Sequence, residues 1–74
     1  MRVEFKVSQE GSDWVVRRGS AIVLRSKSKE AALTAAKNLA REAARKENAV
    51  VKAQAKTGDW SEVAAYRREP TFFL

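Results

Sequence analysis

The 74-residue sequence contains no cysteine and no histidine. Their absence excludes a disulfide framework, a thiolate or imidazole zinc site, a cysteine nucleophile and imidazole acid-base chemistry. Proline occurs once, as Pro70, and glycine only at the isolated positions Gly11, Gly19 and Gly58. There is accordingly no proline-rich linker, and no glycine-rich loop of the kind that cradles a phosphate. No apolar run approaches the roughly 18 residues of a membrane span. The opening residues, Met1 to Val7, alternate apolar with charged instead of forming the apolar stretch of a signal peptide. These absences point to a soluble cytoplasmic protein with no membrane partner. The nine carboxylates are scattered, with no pair spaced for acid-base work and no calcium loop. No catalytic residue, cofactor or metal site is expected, and the chain reads as not an enzyme.

What is present describes a small folded domain. Hydrophobic residues make up 45% of the chain and include two tryptophans, more than disordered chains carry. Val3, Phe5 and Val7 alternate with Arg2, Glu4, Lys6 and Ser8, the period of a strand with one face buried. A turn at Gln9 to Asp13 leads into a strand over Trp14 to Arg17. A second turn, at Arg18, Gly19 and Ser20, leads into a strand over Ala21 to Arg25. Ser28 is placed to cap a helix, and Glu30 lies in its first turn, where a negative charge complements the helix dipole.

The helix is expected from about Lys29 to Glu47, with Asn48 as its stop. Ala32, Ala35, Ala36, Leu39, Ala40 and Ala43 fall on one side. Such small side chains let a helix lie close to a sheet, so the bulk of the core is expected from Phe5, Trp14, Ile22 and Leu24. Ala49 to Ala55 and Trp60 to Arg67 read as a second hairpin, turning at Thr57, Gly58 and Asp59. The fold expected is α+β in the order β-β-β-α-β-β, with an antiparallel sheet and one Ala-rich helix on one face. Residues 1–70 form the domain. Thr71 to Leu74 form an apolar tail whose Phe72, Phe73 and Leu74 either fold back or meet a partner.

The pattern resembles a family of short bacterial proteins known as domain of unknown function 2188. The likeness lies in Trp14 and Val16, then Arg17, Arg18 and Gly19. Ser28, Lys29 and Ala32 open the helix, and Ala35, Ala36 and Ala40 continue it. Val50, Val51, Gly58, Tyr66, Glu69 and Pro70 complete it. Arg67 and Glu69 stand where that family tends to have Gly and Asp. The resemblance covers about three quarters of the chain, supports the fold and a bacterial source, and implies no substrate.

Charge carries the functional expectation. The chain has 15 Lys and Arg against 9 Asp and Glu, a net charge of +6. Residues 14–29 hold Arg17, Arg18, Arg25, Lys27 and Lys29 with no carboxylate. If Trp14, Val16, Ile22 and Leu24 face the helix, alternation places Val15, Arg17, Val23, Arg25 and Lys27 on the opposite face, joined by Lys6, Lys52 and Lys56. Lys6, Arg17, Arg25, Lys27, Lys52 and Lys56 are thus the candidate phosphate contacts. That face lacks an aromatic stacking platform in this reading. Lys37, Arg41 and Arg45 are read as an exposed helix stripe. Three functions remain open: a small basic non-catalytic binding or accessory module of unknown partner, a nucleic-acid binder using the basic sheet face, and a module that self-associates or binds a protein through the tail.

Overall fold

Alternating Val3, Phe5 and Val7 form the first strand of a five-stranded sheet in the computed structural model, which describes residues 2–68. In chain order the elements are β1 (Arg2–Glu10), β2 (Asp13–Arg18), β3 (Ala21–Ser26), α1 (Lys29–Ala43), β4 (Asn48–Gln54) and β5 (Trp60–Tyr66). The expected tail, with Glu69 and Pro70, lies outside the described residues.

β1, β2 and β3 form a meander whose turns are two residues long, Gly11-Ser12 between paired Glu10 and Asp13, and Gly19-Ser20 between paired Arg18 and Ala21. Gly19 has φ +61°, and among the described residues no non-glycine residue has positive φ. A positive φ at only the first central residue is the hairpin turn whose twist matches that of the flanking strands, and glycine takes it without a Cβ clash.

The sheet order is β3-β2-β1-β4-β5. β4 pairs with β1 in parallel, so the sheet is mixed and not antiparallel throughout as the sequence suggested. The cause is the helix. Its 15 residues span about 22 Å at 1.5 Å per residue, close to the length of a strand. It therefore returns the chain to the end of the sheet where β3 began. β4 must then start beside the start of β1 and run the same way.

Ser28 caps the helix, its Oγ accepting a hydrogen bond from the Ala31 N–H at 3.2 Å. The helix ends at Ala43, short of the expected Glu47. Ala44, Lys46 and Glu47 close it in a tightened turn onto the carbonyls of Ala40 and Ala43, and Asn48, expected as a stop, begins β4. Ala32, Ala36 and Ala40 pack against Phe5, Val7, Val16, Ala49, Val51 and Ala53. Trp14, Leu24, Leu39 and Tyr66 flank this cluster. Ile22 does not contribute to it.

Ile22 is displaced by a bulge. Val16 pairs with Leu24, but Arg17 pairs with Ile22, leaving Val23 as an extra residue. One extra residue inverts the alternation beyond it. Ile22 consequently joins Arg17 on the open face and is 41% exposed, whereas Val23 lines a groove beside Leu39 and Ala43 of the helix. β5 carries the matching irregularity. Val51 pairs with Ala64 and Lys52 with Glu62, so Val63 is extra.

Candidate nucleic-acid interface

The pairing registers define the face of the sheet turned away from the helix. One cross-strand row runs Ile22, Arg17, Lys6, Lys52, Glu62 from β3 to β5. On one side of it Glu4, Val50 and Ala65 are aligned; on the other, Arg25, Val15 and Ser8. Gln54 pairs with Trp60 on the same face. Alternation thus places Lys6, Arg17, Arg25 and Lys52 together as expected. Lys27 follows β3, and Lys56 lies in the exposed turn between β4 and β5.

Most of these cations are occupied. Arg17 forms an ion pair with Glu10 along the face. Asp13 takes both Lys27, at 3.2 Å, and Arg25, at 3.8 Å. Lys52 meets Glu4 at 2.9 Å. The first and last of these pairs lie on the same face as two fully buried valines. Val15 and Ser8 lie between the positions of Arg17 and Glu10, and Val50 lies opposite Glu4 and next but one to Lys52. Long charged side chains bury their stems over apolar neighbours while their heads stay wet.

The environment of Glu4 shifts its titration. Its Oε1 is buried, and the Lys52 ammonium at 2.9 Å meets its charge. The hydrogen bond from Lys52 holds the carboxyl below the usual glutamate range; burial opposes it, and the charges of Lys52, Arg2 and Lys6 reinforce it.

Trp60 is the feature of this face that corrects the expectation of a face without an aromatic platform. It is 42% exposed, and the Lys6 ammonium reaches across β4 to lie 5.4 Å from its ring centroid. The open face therefore does carry an aromatic ring. Its position after the Gly58-Asp59 turn signalled exposure; its face depended on the register with Gln54.

A second basic region forms where sequence reasoning found none. The start of β1, the end of β2, the end of the helix, the start of β4 and the end of β5 meet at one pole of the sheet. Three adjoining grooves open there, of about 540, 530 and 350 Å³, with Glu47 lining all three. Arg2 and Arg18 line one, Arg45 and Lys46 another, Lys46 and Arg68 the third. Arg18 pairs with Glu47 at 3.4 Å, and Arg45 with Glu42 at 3.6 Å. Among the described residues Arg2, Lys46 and Arg68 have no carboxylate within ion-pair distance. The Arg68 backbone N–H donates to Asn48 Oδ1 at 2.6 Å, tying the end of β5 to the start of β4. These residues lie far apart in sequence, so no local run of charge announces them.

The helix stripe is partly engaged as well. Arg41 lies 5.6 Å over the ring of Tyr66, and Arg45 takes Glu42. At the other end of the helix Lys29 lies over Trp14, 5.4 Å from its centroid. No family model, curated protein or solved structure matches this chain.

Proposed function

We propose that this protein is a non-catalytic module that binds nucleic acid through its phosphates, with the basic pole as the principal contact. The observation that carries this reading is the contrast between the two basic regions. Arg17, Arg25, Lys27 and Lys52 each have a carboxylate on the same sheet. Arg2, Lys46 and Arg68 have none among the described residues and line adjoining grooves. A cation already held by a carboxylate has less field to offer a phosphate and must exchange one partner for another. An unpaired one attracts the phosphate and releases counterions.

Part of the pole has a simpler role. Arg45 and Lys46 adjoin the carbonyl end of the helix, where positive charge offsets the dipole. That account does not extend to Arg2, at the start of β1, or to Arg68, which follows β5. The non-catalytic part of the reading rests on the missing cysteine and histidine and on the engagement of Glu4, Glu10, Asp13, Glu42 and Glu47 by Arg or Lys. Self-association by strand addition is less favoured, because both edge strands carry a bulge, which disrupts the ladder an added strand needs.

The test is binding to labelled oligonucleotide as a function of salt. Each phosphate contact adds about 0.7 to 0.9 to the slope of log affinity against log salt. Combined Arg2→Ala, Lys46→Ala and Arg68→Ala is expected to lower that slope by about 2 to 3. Combined Arg17→Ala, Arg25→Ala and Lys27→Ala is expected to change it less. The reverse ranking returns the contact to the β2–β3 half of the face, and no binding at low salt sinks the reading.

A further inference from the structure

We infer that the nucleic acid taken by this module is single-stranded, with a base stacked on Trp60 in the place that Lys6 occupies in the free protein. The inference rests on the phosphate-binding reading above and adds the class of ligand.

Trp60 is the largest of the exposed apolar side chains among the described residues, and it contributes nothing to the buried core. Its ring lies on the open face because of its register with Gln54. Downstream, the extra residue Val63 lets Ala64 and Tyr66 still pack toward the helix. The bulge thus allows one short edge strand to serve both faces, its first residue outward and its last inward.

Lys6 supplies the second observation. Its ammonium lies 5.4 Å from the ring centroid, so the π-face of Trp60 is accessible from the open side and attracts positive charge. A nucleobase presents a flat π-face to the same ring, and such stacking tolerates any base. A base arriving there displaces the ammonium, and the freed Lys6 is then placed to meet the adjoining phosphate. One residue thereby covers the ring when the site is empty and contacts the backbone when it is full.

The surrounding charge fits the same path. Arg2 lies on the same face of β1 as Lys6, four residues nearer the pole, or about 13 Å at the rise of a strand. Lys56 lies in the turn just before Trp60. Glu4, between Arg2 and Lys6, is neutralised by Lys52. The half of the face formed by β1, β4 and β5 therefore runs from the basic pole to the ring, whereas Glu10 and Asp13 compensate the other half. A duplex keeps its bases inside the stack and cannot present one to a ring on a sheet surface; a single strand can.

The test is NMR titration of the labelled full chain at low salt with three ligands: short oligothymidylate, the same length of duplex DNA, and inorganic polyphosphate. Oligothymidylate is expected to move the Trp60 indole N–H and the Lys6 resonances together with those of Arg2, Lys46 and Arg68. Duplex and polyphosphate are expected to move only the pole. Trp60→Leu, which keeps an apolar side chain but cannot stack, is expected to weaken oligothymidylate about tenfold and leave polyphosphate unchanged. The wild-type indole signal decides the matter if that variant fails to fold. Movement of the pole with an unmoved indole overturns the stacking and leaves phosphate binding standing, as does an indole shift that polyphosphate reproduces. No movement with any ligand overturns both.

Discussion

Glu4 and Lys52 show how one pair can serve a sheet face. Glu4 Oε1 is buried, and its ionised form is favoured by the Lys52 ammonium. A carboxylate whose folded pKa is depressed adds stability that is complete above its unfolded pKa and is lost as pH falls through the folded value. The stability difference between wild type and Lys52→Met should therefore be largest above about pH 5 and shrink toward acid. Chemical denaturation across pH, with an NMR titration of the Glu4 carboxyl, checks it; a difference that grows toward acid would have the sign wrong. Ala36 makes the complementary point about size. It is fully buried between helix and sheet, so Ala36→Leu should cost about 1 to 3 kcal/mol by overpacking, read as a lower denaturation midpoint.

At the scale of elements, two inserted valines decide which side chains reach which surface. Alternation along β3 reads Ile22 and Leu24 as one face, and so it would be if Val23 took an ordinary place in the ladder. A strand's own sequence shows its period, but the site of an extra residue depends on the partner ladder, which is remote in the chain. Deletion of Val63 tests the consequence for β5. Without the extra residue, Glu62 and Ala64 become neighbours, and plain alternation keeps Trp60 outward and Ala64 and Tyr66 inward. The variant should therefore fold with the environments of both aromatics retained. Tryptophan fluorescence and thermal unfolding report this; a changed environment for either aromatic would show that the extra residue does more than set which face each side chain takes. The helix was more legible, because its Ser28 cap and Ala32, Ala36 and Ala40 are set by residues three or four apart. Its end was misjudged because the final turn tightens after Ala43.

For the whole molecule, the net charge of +6 is less informative than its pairing. The five cations of residues 14–29 form the densest basic stretch in the sequence, yet Glu10, Asp13 and Glu47, all outside that stretch, pair with four of them. The pole collects charge from the first strand, the helix end and the last strand. If it is the principal contact, the logarithm of the affinity falls linearly with log salt and the loss on adding salt is shared by all base compositions. A slope near zero with retained affinity would instead place the interaction on apolar surface.

Local patterns in the sequence by themselves determined five strands, one helix and their order, because strand alternation, turn glycines and a helix cap act over a few neighbouring residues. Composition likewise removed thiol and imidazole chemistry without reference to any fold. Only the tertiary structure decided that β4 runs parallel to β1, that Ile22 and Trp60 occupy the open face, and which cations remain unpaired. Each of those outcomes depends on which distant segments become neighbours. Coulomb attraction and ladder register act across space, and the distances they act over exist only once the helix has carried the chain back across the sheet.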